Sequence, residues 1–175
     1  MRRVFRRHIR KTLAQEVPPV LQEANFAFDK GEYGRAGELF ERIAESASTR
    51  GAPRAPVFHL QAGRARILAG QTSLGMPSLK RGLDLLAQRN QFPRLYQAGL
   101  RVVSELNEHG LKNEASEMDA WLKNILPSVP SFESPAKRPI LPARCPSCGA
   151  GARPDEVEWL DEVTAECAYC GSPIR

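Results

Sequence analysis

Apolar and small residues recur every three or four positions over most of the first 127 residues, which is the spacing of one face of an α-helix. The pattern predicts a mostly α-helical domain over residues 18–127, with these stripes as its core. The clearest stripes are Val17, Val20, Leu21, Ala24, Ala27 and Phe28; Ala36, Gly37, Phe40, Ile43, Ala44 and Ala47; Leu95 or Tyr96, Gly99, Val102 or Val103 and Leu106; and Leu111, Ala115, Met118, Leu122 and Ile125.

Glycines divide this domain at regular intervals. Gly31, Gly70 and Gly110 are 39 and 40 residues apart, and each lies where one helix is expected to end before the next begins. The interval predicts three helix-turn-helix units, that is, an antiparallel array of about six helices. We expect the turn of the middle unit to be long and to run from Gln71 to Pro77.

One segment resembles a known repeat. The residues Gly31-Glu32-Tyr33-x-x-Ala36-x-x-x-Phe40-x-x-x-Ala44 resemble the centre of a tetratricopeptide repeat, and the unit after Gly110 matches more loosely. This resemblance covers residues 18–127. It implies an array of helical hairpins in which the first helix of each pair lines a concave face that binds a partner.

Charge is distributed unevenly along the chain. Residues 50–101 contain nine Arg or Lys side chains and a single acid, Asp84. A face that serves only solubility usually mixes both signs, so we expect a basic groove that binds an acidic peptide or protein surface. A solvated basic face without a partner, or a face covered by the acidic end of the chain, are the alternatives. The candidate groove residues are Arg64, Arg66, Arg94 and Arg101.

Residues 1–17 form a second basic element. Placed on a helix, their apolar residues share one side and their basic residues surround the rest, until Pro18 and Pro19 end the helix. Such a basic amphipathic helix can contact an anionic membrane surface, bind an acidic partner or nucleic acid, or pack on the first hairpin. Its candidate contact residues are Arg2, Arg3, Phe5, Arg6, Arg7, Ile9 and Arg10.

Proline and serine dominate residues 128–142. Proline favours extended, semi-rigid conformations, and the segment offers little apolar surface to bury. The composition therefore predicts a linker that holds the following segment at a variable distance from the helices.

The four cysteines of the chain form two Cys-x-x-Cys pairs, Cys145 with Cys148 and Cys167 with Cys170. This is the spacing of a four-thiolate metal site, and a glycine follows each pair where a tight turn needs positive φ. Both turns resemble the knuckles of zinc ribbons. The resemblance implies one structural Zn²⁺, with an iron site like that of rubredoxin, a thiol redox pair or disulfides as alternatives.

We expect residues 143–175 to form this ribbon. Val157, Trp159, Val163 and Thr164 predict two or three short antiparallel strands between the knuckles. The segment is too short to bury a core of its own, so the metal must stabilise it. It is acidic, which makes it a poor ligand for nucleic acid.

No phosphate-binding loop or nucleophile–base pair is evident, so we expect neither an enzyme nor a small-molecule substrate. The absence of a secretory signal peptide predicts a cytoplasmic protein. The expected function is a non-catalytic adaptor that brings protein partners together. The alternatives are a nucleic-acid-associated regulator that uses the basic helix and residues 50–101, and an enzyme subunit or electron carrier with iron or an open metal site.

Overall fold

The computed structural model describes residues 17–126, 139–154, 157–159 and 163–175. The predicted N-terminal helix, with its candidate residues between Arg2 and Arg10, lies outside the described residues, and so does most of the predicted linker. Six helices and three two-residue strands are present among the described residues: α1 (Pro19–Asp29), α2 (Tyr33–Thr49), α3 (Ala55–Leu68), α4 (Thr72–Gln88), α5 (Phe92–Glu108), α6 (Lys112–Ile125), β1 (Glu158–Trp159), β2 (Ala165–Glu166) and β3 (Pro173–Ile174).

The three predicted glycine turns are confirmed. Gly31, Gly70 and Gly110 have φ of 78°, 74° and 76°, in the left-handed region that glycine adopts without strain. In each turn the residue after the glycine donates its N–H to the last turn of the preceding helix, at 2.8–2.9 Å. Asn90, with φ of 55°, makes the same turn between α4 and α5. These three-residue turns fold consecutive helices back on one another.

The turn after Gly70 is short, which corrects the prediction that it extends to Pro77. Helix α4 begins at Thr72 and continues through Pro77 to Gln88. A proline near the start of a helix removes one backbone hydrogen bond, here the one to Ser73, and the packing of α4 compensates for that loss.

Most residues of the predicted stripes are buried, and the partly buried members are Val17, Val20, Phe28, Ile43, Leu111 and Ile125. Leu21, Ala24 and Ala27 of α1 and Ala36, Phe40 and Ala44 of α2 are at most 2% exposed. In α5 the buried members are Leu95 and Val102 rather than Tyr96 and Val103. Helix α3 shows no one-sided stripe in the sequence because nine of its 14 residues are buried. Among the described residues, no helix combines the length and the hydropathy that a membrane span requires.

Two glycines allow α3 and α4 to approach closely. A Cβ atom on Gly63 would lie 2.8 Å from the carbonyl oxygen of Gly75, and a Cβ on Gly75 would lie 2.9 Å from that of Gly63. Any side chain at either position would therefore push the two helices apart.

Residues 139–175, as far as they are described, form a small module that we call the cysteine module. Its strands pair antiparallel in the order β1-β2-β3, with Trp159 opposite Ala165 and Ala165 opposite Ile174. The four cysteines belong to the same buried cluster as Leu21 of α1 and Phe58 of α3.

The cysteine module therefore packs on the helices, which differs from the expected tether of variable length. Leu141, inside the predicted linker, is itself buried in the shared cluster, as are Tyr169 and Ile174 of the module. These apolar side chains, and the helix faces beneath them, are removed from water only when the two parts meet.

Candidate metal centre and the adjoining groove

The two Cys-x-x-Cys segments have the same local structure. In the first, the Gly149 N–H donates to the Cys145 carbonyl oxygen at 2.9 Å, and the Cys145 N–H donates to Ala150 at 2.7 Å. In the second, Gly171 donates to Cys167 at 2.9 Å, and Cys167 donates to Ser172 at 2.9 Å. Gly149 and Gly171 have φ of 75° and 76°. Each segment is thus a tight knuckle that presents two sulfur atoms on the same side.

The four sulfur atoms converge. All lie within 4.8 Å of one another, and the Sγ–Sγ distances are 3.7 Å for Cys145–Cys170 and 3.8 Å for Cys148–Cys167. A tetrahedral ion with Zn–S bonds of about 2.3 Å requires sulfur atoms about 3.8 Å apart. A disulfide would bring two of them to about 2.05 Å, and all four cysteines are free. The four buried cysteines can therefore hold a metal ion.

The thiols influence one another strongly. Hydrogen bonds from Cys148 and Cys167 hold the pKa of Cys170 well below its usual range. Hydrogen bonds with Cys167 and Cys170, together with burial, raise the pKa of Cys148. The contact with Cys148 lowers the pKa of Cys167, but the contact with Cys170 and burial outweigh it and raise this pKa to about 12. Ionisation of Cys170 is thus favoured and ionisation of Cys148 and Cys167 is costly, and a cation bound among the sulfur atoms would stabilise the thiolate forms of the latter two.

Hydrogen bonds join both knuckles to the helices. The Asn25 side chain of α1, only 7% exposed, donates from Nδ2 to the Cys148 carbonyl oxygen at 2.8 Å. Gln61 of α3 donates its amide N–H to the hydroxyl of Tyr169 in the second knuckle, and both side chains are buried. At the edge of the contact, Gln22 reaches the Ser147 carbonyl oxygen at 3.4 Å. The first knuckle is thus anchored on α1 and the second on α3.

Ion pairs extend this contact. Glu166 of β2 pairs with Arg54, the residue that precedes α3, at 2.5 Å. Arg144 pairs with Asp29 at the end of α1. Arg153 lies 3.8 Å from Glu105 of α5. The cysteine module therefore contacts α1, α3 and α5, the first helix of each hairpin.

A groove runs between α3 and α5 and ends at the second knuckle, with a cavity volume of about 230 Å³. Three of the four predicted groove arginines, Arg64, Arg94 and Arg101, line it. The apolar residues that the helices contribute to its lining are Pro56, Val57, Leu60, Leu79, Leu86, Ala98 and Val102.

Arg64 is held in place at the groove. It pairs with Glu105 at 2.9 Å, and its guanidinium group lies 5.8 Å from the centre of the Phe28 ring.

Arg66 does not line this groove, although the sequence placed it with the other three arginines. Its side chain is buried and binds both carboxylate oxygens of Glu41, at 2.9 and 2.6 Å, and the Gln71 side chain at 2.7 Å. The hydrogen bonds with Glu41 raise the pKa of Arg66. Gly37 leaves the necessary space, because a Cβ there would lie 2.9 Å from Arg66 Cδ.

The sequence interpretation missed the polar residues that hold the cysteine module. Asn25 is a polar residue beside the apolar stripe of α1, and Gln61 lies between the buried residues Phe58 and Ala62 of α3. A polar side chain on an otherwise apolar helix face is a signal that a buried partner exists. The pairing of Arg54 with Glu166 leaves no such trace, since both are ordinary surface residues in the sequence.

Comparison of the chain with protein-family models, curated proteins and solved structures finds no match.

Proposed function

We propose that the chain is a non-catalytic adaptor whose groove binds an acidic segment of a partner protein. The observation that carries the proposal is that Arg64, Arg94 and Arg101 line one groove between α3 and α5 together with apolar side chains. A segment that alternates carboxylates with apolar side chains fits such a groove, because guanidinium groups bind carboxylates while the apolar lining buries the apolar groups. The three hairpins with equivalent turns support a tetratricopeptide-like array as its framework.

We propose that the cysteine module is a zinc ribbon with one structural Zn²⁺. Four thiolates complete a tetrahedral coordination sphere and leave no position for a catalytic water molecule. The ion would be held by Cys145, Cys148, Cys167 and Cys170, and it would neutralise the thiolate charge that burial makes costly. This closed ligand set supports a non-enzymatic role.

The metal proposal is tested by metal analysis of the purified protein. We expect one zinc per chain, lost in the Cys148→Ser variant. Ser147→Ala is the matched control because Ser147 is exposed in the same knuckle, and that variant should retain the metal. Iron in place of zinc, or metal retention by Cys148→Ser, would contradict the proposal.

The arrangement of the basic residues favours a protein partner over nucleic acid. Apart from the three groove arginines, several cations of residues 50–101 are paired with acids of the same chain: Arg54 with Glu166, Arg66 with Glu41 and Lys80 with Glu117. Phosphate binding requires a surface of cations that face outward, and these pairs reduce that surface.

The groove is tested with short random peptides displayed and selected on the wild-type protein. We expect enrichment of sequences that combine Asp or Glu with large apolar residues. A selected peptide should bind the Arg94→Glu/Arg101→Glu double variant at least about tenfold more weakly, which corresponds to about 1.4 kcal/mol. Fluorescence polarisation of the labelled peptide measures the affinity.

The control for this experiment is Arg42→Glu/Lys112→Glu, which changes the net charge equally at exposed positions on α2 and α6. It should bind the peptide like the wild type. Enrichment without acidic residues, or equal affinity of both double variants, would overturn the groove proposal. Tight binding to DNA or RNA with a steep salt dependence would favour the nucleic-acid alternative instead.

A further inference from the structure

We infer that metal binding by the four cysteines determines whether the groove is formed. The inference rests on the proposed groove and metal site and concerns their coupling. β2 supplies Glu166 to the groove lining, the second knuckle supplies Cys167 and Ala168, and Arg94 and Arg101 of α5 line the same groove. One wall of the groove is therefore part of the metal site itself.

Two side chains attach this wall to α3. Arg54 pairs with Glu166 at 2.5 Å, and Gln61 donates to the Tyr169 hydroxyl. Gly171 makes the first contact possible, because the Arg54 guanidinium lies where a Cβ of residue 171 would be. The wall thus has a defined position only while the second knuckle keeps its shape.

Apart from the metal site and the contacts with the helices, the described part of the cysteine module has few interactions of its own that maintain that shape. Each of the three strands contains two residues, and each knuckle closes with two backbone hydrogen bonds. Modules of this size are stabilised chiefly by their metal. The ion would join a knuckle anchored on α1 through Asn25 to a knuckle anchored on α3 through Gln61. Its removal releases both, and the groove loses one wall.

Hydrogen–deuterium exchange of the full chain, before and after chelation of the metal, tests this coupling without a partner. We expect at least about tenfold faster exchange after chelation in residues 55–61 of α3 and in the second knuckle, and recovery when Zn²⁺ is added back. Helix α6 belongs to the other core cluster and should change little. Unchanged exchange in residues 55–61 after verified metal loss would overturn the inference.

The Arg54→Gln variant tests the contact between the groove wall and α3 without changing the metal ligands. It keeps all four ligands, so we expect full metal content together with faster exchange in the second knuckle. An exchange rate equal to that of the wild type would contradict the role of Arg54. The exchange result does not depend on peptide binding, so the two proposals can fail separately. If no peptide is selected but exchange still depends on the metal, the proposed function of the groove is refuted and the coupling stands. If a selected peptide binds equally well before and after chelation, the coupling is refuted and the function of the groove stands.

Discussion

Asn25 Nδ2 donates a hydrogen bond to the carbonyl oxygen of Cys148 at 2.8 Å, and this bond joins residues 123 positions apart in the sequence. Both residues are buried, so removal of the amide leaves a carbonyl group without its donor in the contact between α1 and the first knuckle. We expect Asn25→Ala to lower the free energy of unfolding by about 1–3 kcal/mol, measured by urea denaturation of the metal-loaded protein.

Gln22→Ala is the matched control for this change. Gln22 lies on the same helix and donates to the neighbouring carbonyl of Ser147, but its bond is 3.4 Å long and exposed. We expect a much smaller loss of stability from it than from Asn25→Ala. Equal losses in the two variants would show that burial of Asn25 contributes nothing to this contact.

Arg66 should contribute to stability rather than to partner binding. Arg66→Met removes a buried guanidinium group from its two bonds to Glu41 and leaves that carboxylate, 30% exposed, without its counter-charge. We expect a loss of about 2–3 kcal/mol in the free energy of unfolding. Peptide affinity at the groove should stay unchanged, because Arg66 does not line it.

The comparison for Arg66 is Arg35→Met. Arg35 also pairs with two acids, Glu23 and Glu32, but its side chain is 58% exposed. Solvent screens such pairs, so we expect little change in stability. If Arg35→Met were as destabilising as Arg66→Met, the argument from burial would fail.

The close contact of α3 with α4 predicts that alanine at Gly63 and alanine at Gly34 have different effects on stability. Gly63→Ala places a methyl group 2.8 Å from the Gly75 carbonyl oxygen, so we expect it to destabilise the protein by about 1–3 kcal/mol. Gly34→Ala, on α2, meets no atom within 4 Å and should leave the stability unchanged or slightly raised. Thermal denaturation followed by circular dichroism distinguishes the two. A neutral Gly63→Ala would indicate that the two helices can separate at little cost.

His59 predicts a pH dependence of stability. Its Nε2 lies 2.9 Å from Ser48 Oγ, and burial, together with the nearby charge of Arg81, lowers the pKa of His59 below its ordinary value of 6.5. The unfolded chain therefore takes up this proton at a higher pH than the folded protein. The contribution of neutral His59 is complete above the unfolded pKa and declines as the pH falls below it.

We expect the free energy of unfolding to fall more steeply between about pH 7.5 and pH 5.5 in the wild type than in His59→Gln. Denaturant titrations at a series of pH values measure both slopes. Acid also protonates the cysteines and weakens metal binding, but that effect is common to both proteins and cancels in the comparison. Parallel slopes would refute a role for His59.

Features that are set by residues close together in the sequence could be predicted from it. The cysteine spacing identified the four sulfur atoms that converge, because each pair lies within one tight turn. The stripes of α1, α2, α5 and α6 identified most of their buried residues, and glycine spacing identified three of the turns. Helix α3 gave no stripe because it is buried on several sides, and Pro77 suggested a break that tertiary packing overrides.

Contacts between distant segments could not be predicted. The proline-rich composition before the cysteines indicated a tether, but Leu141 is buried and the cysteine module packs on α1 and α3. Charge gave no guide to Arg66, whose partner Glu41 lies 25 residues earlier on another helix. Periodicity reports which side of a helix is apolar, and it does not report which segment covers that side.

The contact between Asn25 and Cys148 also affects folding during synthesis, because α1 is made long before the knuckle that packs on it. A ribosome adds about 5–20 residues per second, so on the order of ten seconds separate the synthesis of α1 from that of the knuckle that covers it. During this interval the face of α1 that the module later buries is open to chaperones and to other chains. Completion of the fold then waits for the cysteine module. If its four cysteines hold the proposed Zn²⁺, the supply of that ion in the cell would also determine how long the nascent protein remains exposed.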